Sequence, residues 1–363
     1  MKKIGTLLLA LVMVCLCANA LGELGFAEIK KDNVNVRESA GGKMLWQLNA
    51  PQSVYVFEEK TVGKYLWCHV STYIGKNPKT GWIRGDMLRF LSEEFSDIVD
   101  IDMGYSYIVG LRKDGTVAIM GDDMPHAPCI NEVRTWKNMT QVITSTCNVY
   151  ALNANDKVRG VGKDDHFDGI RAASISGDSP FPLNKDGYFL ADEWNSAWDR
   201  HVDTADDLGK ERYCKILGDS TVYAALTCSG EVRCFNDHAP DEQYFAGKRY
   251  VDLDVDYSHI VAVREDRRVD VKELTRYTGG FCGQCGAVEE WENVIRVSTL
   301  DDDILGLRAD GKVYYAGKNQ HIAKRVAEWE NVVDIAMGQD CCAALLKDGT
   351  VVMAGNFHEG YFR

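Results

Sequence analysis

From residue 95 onward the chain is written in short runs where apolar residues fall on every second position. Val99, Ile101 and Met103 alternate with polar neighbours, then Tyr107, Val109 and Leu111, then Val117 and Ile119. Period two predicts strands. Asp114-Gly115 separates the second and third runs, and glycine there supplies the positive φ that a tight turn between two strands needs. The predicted unit is therefore strand, short connection, strand, turn, strand, followed by a variable segment.

This unit recurs. Ile98 to Gly104, continuing to Leu111 and Asp114-Gly115, matches Val332 to Gly338, continuing to Leu345 and Asp348-Gly349, without a gap at an offset of 234 residues. Trp291-Glu-Asn-Val294 returns as Trp329-Glu-Asn-Val332, and Trp136-Lys-Asn-Met139 is a third copy. Anchoring on the turn gives seven positions, Asp114, Asn155, Asp186, Ser229, Asp266, Asp310 and Asp348, spaced by 31 to 44 residues. A fixed period of this size marks a repeat architecture. The middle strand is apolar on both faces, with Ile108, Ile260, Ile304 and Cys342 opposite the Val/Leu face, so each unit must be sandwiched between neighbours. One column stays small (Gly110, Ala151, Ala225, Ala262, Gly306 and Ala344, broken by Pro182), which suggests strands converging on an axis. Together these features predict an all-β chain with a seven-bladed β-propeller of short repeats over residues 95–363. An open β-solenoid is the alternative. Phe95 stands at the Trp position of the repeat, so residues 95–103 are expected to dock on the last copy and close the ring.

The pattern Trp-x-x-Val-[Val/Ile]-x-Ile-x-x-Gly, then Ala-Leu-x-x-Asp-Gly-x-Val, resembles bacterial repeats of the regulator-of-chromosome-condensation family. The short unit is similar to the propeller-type β-lactamase inhibitor proteins. The resemblance implies seven blades of three or four strands. Family repeats often carry a His where this chain has Tyr107, His259 and Cys341.

Residues 24–92 follow another pattern. Val34 to Arg37, Val54 to Phe57, Leu66 to Val70 and Gly81-Trp-Ile-Arg-Gly85 are short alternating strands around a Gly41-Gly42 turn. With the Gly-Trp-Ile near its end, this stretch resembles a bacterial Src-homology-3-type barrel, a small module that serves exported proteins as a wall anchor or spacer. Trp67 and Trp82 read as core rather than as a ligand platform.

The first 20 residues change the setting. Lys2 and Lys3 precede an apolar run from Ile4 to Cys17, and Ala18-Asn-Ala20 has the small-x-small form of a cleavage site, so residues 1–20 read as a signal peptide. The expected localisation is secreted or cell-surface, with no membrane span after signal removal. Formal charge is −13 overall and becomes −15 without the signal, which disfavours nucleic acid as a partner.

Export also changes the reading of the 12 cysteines, since exported thiols can pair. Gly279-Gly-Phe-Cys-Gly-Gln-Cys-Gly286 puts Cys282 and Cys285 in a Gly-rich loop. A disulfide closing the loop, or two free thiols, is favoured over half a zinc site or a redox pair, and no second Cys-x-x-Cys supplies the other zinc ligands. Cys228 and Cys234 flank the Ser229-Gly230 turn and suggest a bridge across their hairpin. Asp164 to Asp168 and Asp301 to Asp303 are acidic clusters without calcium-loop spacing. No nucleophile elbow, zinc helix or phosphate-binding glycine loop is present, and no cofactor is expected. What stands out on the predicted connections is aromatic: Trp194, Trp198, Tyr277 and Phe281, residue types that dominate protein-binding hot spots. The expectation is a non-catalytic binding protein for a protein or cell-wall polymer. The alternative is an extracellular glycan-acting enzyme with paired acids in the propeller funnel.

Overall fold

The structure, a computed structural model, describes residues 25–50, 52–72, 79–105, 107–121, 129–144, 148–161, 181–190, 208, 211–218, 223–235, 244–256, 258–274, 285–300 and 303–355. The chain divides into two compact units, Met1–Glu93 and Glu94–Arg363.

In the first unit, β1 (Gly25–Ile29), β2 (Val34–Arg37), β3 (Met44–Leu48), β4 (Ser53–Val62), β5 (Tyr65–Thr72), β6 (Lys79–Arg84) and β7 (Leu88–Phe90) form one antiparallel sheet in the order β3-β2-β6-β5-β4-β1-β7. The four strands read from the sequence are all present. Val36, Val54, Val56, Val70 and Ile83 project from them into one core. Trp67 is buried, as expected, whereas Trp82 is half-buried and stacks on His69 at 4.9 Å.

The second unit contains six described three-stranded antiparallel sheets. They are β8 (Ile98–Met103), β9 (Tyr107–Arg112) and β10 (Val117–Gly121); β11 (Met139–Thr144), β12 (Val149–Asn153) and β13 (Val158–Val161); β14 (Tyr213–Gly218), β15 (Tyr223–Thr227) and β16 (Val232–Phe235). The remaining three are β17 (Tyr250–Val255), β18 (His259–Arg264) and β19 (Val269–Glu273); β20 (Val294–Leu300), β21 (Asp303–Arg308) and β22 (Val313–Ala316); β23 (Val332–Gly338), β24 (Cys341–Leu346) and β25 (Val351–Gly355). Between β13 and β14, residues 181–190 hold a further turn, in which Gly187 N donates to Asn184 O and Leu183 bridges Phe189.

All seven turns read from the sequence take the predicted backbone. The second turn residue has positive φ in every copy: Gly115, Asp156, Gly187, Gly230, Arg267, Gly311 and Gly349. Even the non-glycine copies, Asp156 at 58° and Arg267 at 66°, conform. The Asn of the Trp-x-Asn signature has a similar role. Asn138, Asn293 and Asn331 adopt φ of 60°, 63° and 59° just before the first strand, a region Asn tolerates better than most residues.

The repeats are joined by one recurring hydrogen bond, from the first residue of each leading strand to the turn of the preceding repeat. Met139 N donates to Gly115 O, Tyr213 N to Gly187 O, Tyr250 N to Gly230 O, Val294 N to Arg267 O and Val332 N to Gly311 O. Ile98 N completes the series by donating to Gly349 O at 3.2 Å, and Gln339 N reaches Tyr105 O at 3.0 Å. The last repeat therefore abuts the first, and residues 95–103 dock on it as the phase of Phe95 implies. Among the described leading strands, β8 adjoins β11, β14 adjoins β17, β17 adjoins β20, β20 adjoins β23 and β23 adjoins β8. This is the arrangement of a β-propeller, with the leading strands innermost.

Two sequence readings need correction. The alternation places Val99 on the buried face, yet it is 53% exposed. A β-bulge between Ile98 and Asp100 shifts the register, so the buried set is Ile98, Ile101 and Met103. The small column, in turn, does not mark convergence on the axis. It lies on the middle strand, and at its two glycines the aromatic of the same repeat lies across it: a Cβ on Gly306 would sit 2.6 Å from Trp291 Cζ3, and one on Gly110 would sit 2.9 Å from the Phe95 ring.

Candidate functional site

The described polar cluster with the richest chemistry lies along the leading strands, where consecutive repeats meet at the axis. The bulge at the start of each strand turns its third and fifth residues to the same side. Those positions carry Asp100 and Asp102 in β8, Gln141 in β11, Lys215 in β14, Asp252 and Asp254 in β17, Arg296 and Ser298 in β20, and Asp334 in β23.

These side chains act as straps between repeats. Asp102 accepts from Met103 N on its own strand at 2.9 Å and from Thr144 N on the next at 2.7 Å. Asp254 repeats the geometry with Val255 N at 3.0 Å and Thr299 N at 2.8 Å. Asp252 takes Val297 N at 2.9 Å through one oxygen and Lys215 Nζ at 3.2 Å through the other. Ser298 Oγ accepts from Met337 N at 3.1 Å, and Arg296 pairs with Asp334 at 2.7 Å. Each strap spends an inner-strand side chain on the backbone or charge of the following repeat.

Electrostatics follow from burial. Desolvation pushes the Asp102 carboxyl up to about 7 against the two N–H donors, with Asp100 and Asp254 adding like-charge repulsion. Asp254 rises to about 6, chiefly through burial and opposed first by Lys215. Asp334 also rises to about 6, again through burial, with Arg296 opposing. Burial works against the Arg296 charge, but Asp334, Asp252, Asp100 and Asp102 outweigh it and the guanidinium's pKa is raised. Chemically, this cluster can lock strands together and take up protons near neutrality. Sequence reasoning proposed paired acids in the funnel without naming them. The legible signal was Val-Asp-Ile-Asp at 99–102 and Val-Asp-Leu-Asp at 251–254, where both polar positions of the alternation are acids in two copies at one register.

A second feature is a cleft of about 470 Å³ at the outer part of the β14–β16 sheet, lined by Glu231, Arg233, Phe245, Lys248 and Arg249 among others. Its cations are engaged. Arg233 binds Glu211 and Glu231 at 3.1 and 2.8 Å, Lys248 binds Asp270 at 2.8 Å, and Arg249 donates to Ser229 O.

The residues singled out from sequence are mostly not placed. Trp194, Trp198, Tyr277, Phe281 and Cys282 lie outside the described residues, as do Asp164 to Asp168, and of Cys285 only the backbone, at the start of helix Cys285–Glu289, is described. The proposed Cys228–Cys234 bridge is not formed. Cys234 faces Ala224 in register and is buried, whereas Cys228 lies past the end of β15 with its sulfur 3.2 Å from Cys214. Among the described residues no group of three or more His, Cys, Asp or Glu is arranged to hold a metal ion.

No protein-family model matches the sequence, and no curated protein matches it. Solved structures that are similar include the CRINKLY WD40 ectodomain of the Arabidopsis thaliana receptor kinase ACR4, at 12% identity and a TM-score of 0.37, covering 72% of this chain and 86% of that one. Yeast RCC1 (Prp20), solved bound to Kap60, is similar at 15% identity and a TM-score of 0.36, covering 77% and 73%. The computationally designed Ika8 protein is similar at 10% identity and a TM-score of 0.38, covering 89% and 99%. The propeller arrangement rests on the hydrogen bonds between repeats rather than on these likenesses. Among the described residues, no helix is long and apolar enough to cross a membrane.

Proposed function

We propose that this chain is an exported binding scaffold: a seven-bladed propeller that presents its connections to a protein or cell-wall polymer, preceded by a Src-homology-3-type barrel acting as anchor or spacer. The observation that carries the reading is the contrast between frame and connections. The junction hydrogen bond recurs in six described places, while the spacing between turns varies from 31 to 44 residues. A frame held constant while its connections vary is how rigid scaffolds present binding loops. The inner acids support the same reading, because Asp102, Asp252 and Asp254 use their oxygens on N–H groups of their own and the next strand or on the neighbouring Lys215. The seven regular turns support the blade count, and the signal-like residues 1–20 support export.

The test joins localisation with binding. Cell fractionation should find the protein outside the membrane, cleaved near Ala20. The immobilised chain should retain either purified wall polymer or a defined secreted protein. A protein that stays inside uncleaved, or that retains neither, refutes the proposal.

One observation favours a second reading, a glycan-acting enzyme. Asp102 and Asp254 are two buried carboxyls raised to about 7 and about 6, a range suited to general acid chemistry. Turnover of any glycan in a library screen, abolished by Asp102→Asn or Asp254→Asn with the fold intact, would establish it over the scaffold.

A further inference from the structure

Cys214 and Cys228 stand apart from the other described cysteines. Both are exposed thiols, and their sulfurs are 3.2 Å apart across the first hairpin of their repeat. Their places in the repeat explain the approach. Tyr213 pairs with Thr227 and Lys215 with Leu226, so Cys214 is the extra residue of the β-bulge. Cys228 is the residue just beyond the middle strand, and its N–H returns to Arg212 O.

The same two columns can be read in every other described sheet, where the equivalent backbone bond recurs. They hold Val99 with Lys113, Thr140 with Ala154, Val251 with Glu265, Ile295 with Ala309 and Val333 with Lys347. Among the described sheets of the second unit, only this one puts sulfur in both. The pair also sits where the preceding repeat docks. Tyr213 N takes Gly187 O at 2.7 Å, and a Cβ on Gly187 would lie 3.4 Å from Cys228 Sγ.

We infer that Cys214 and Cys228 are a disulfide-forming site, a staple across the bulge that holds the junction with the turn at residues 184–187. The sulfurs need only close from 3.2 Å to a bonded length of about 2.05 Å. The two thiols lose two protons and two electrons as the Sγ–Sγ bond forms. A small-molecule disulfide such as glutathione disulfide accepts them, its own S–S bond breaking to give two thiols. Exposure gives the oxidant access. Partial desolvation and the hydrogen bond with Cys228 hold the Cys214 thiol above the ordinary cysteine range, so its thiolate fraction grows as pH rises.

The test uses the full chain, first reduced, then treated with glutathione disulfide, unfolded, alkylated and digested without reductant. The expected product is a cross-linked peptide pair joining Cys214 to Cys228 that separates on reduction. The oxidised protein should also melt several degrees higher than the reduced one, a difference that C214S/C228S loses. Recovery of both cysteines as separate alkylated or glutathione-capped peptides, or of either one paired with Cys234 or Cys285, would overturn the assignment. Peptide mapping is done on the unsubstituted chain, so its outcome does not depend on whether the double variant folds.

Discussion

The axial acids make the stability of this protein fall as pH rises, and Asp102 is the residue on which to test it. Burial lifts its carboxyl from 3.8 to about 7. The folded chain therefore holds a proton that the unfolded chain releases above about pH 4. Where the native state binds more protons than the unfolded state, stability declines with increasing pH. This group's contribution is complete below pH 3.8 and is lost as pH climbs through about 7. Between pH 5 and pH 8 the loss amounts to about 3 kcal/mol for an isolated site. That is an upper bound, since Asp100 and Asp254 repel the same charge and share the proton uptake. Asp102→Asn removes the titration but keeps one acceptor oxygen for Thr144 or Met103. The assay is chemical denaturation of both proteins at pH 5 and pH 8, comparing extrapolated stabilities. The variant should gain on the parent by up to about 3 kcal/mol between the two values. A difference that stays flat would refute burial as the dominant influence. One that moves the other way would show that the two N–H donors win and hold the carboxylate ionised.

Further consequences follow from packing. Gly306→Ala drives a methyl to 2.6 Å from a Trp291 ring already stacked on Tyr314, and should cost about 1–3 kcal/mol in denaturant titration. A neutral result would mean that Trp291 re-seats to admit the methyl. Trp136→Ala empties a fully buried site and should cost about 3–5 kcal/mol, read from the same titration. Deleting residues 95–103 removes the donor to Gly349 and the strand against β23, so limited proteolysis should open the whole second unit. Cleavage confined to residues 104–121 would contradict ring closure. Arg296→Gln leaves Asp334 without its cation and should destabilise more at pH 8 than at pH 5, measured by thermal melts at both.

Local chemistry was legible without coordinates. The turn positions were readable down to Asn155-Asp156 and Asp266-Arg267, because the backbone needs positive φ there and few residues provide it cheaply. Burial of both faces of the middle strand followed from Ile108, Ile260, Ile304 and Cys342, all fully enclosed in the folded chain. Docking of the first repeat on the last was foreseeable from the phase of Phe95. Three other matters were decided only by assembly. The bulge that exposes Val99 leaves no mark in an alternating pattern, since it depends on which residue the partner strand skips. The small column could be seen but not explained, because at Gly110 and Gly306 its cause is the phenyl or indole ring that folding lays across it. The acids of 99–102 and 251–254 carry no mark of their partners in the sequence, because the N–H that Asp102 or Asp254 meets lies on a strand 42 or 45 residues away. Periodicity is a property of one strand, whereas desolvation and straps belong to neighbouring repeats that only tertiary assembly brings together, and the Cys214–Cys228 approach belongs to a bulge within one hairpin.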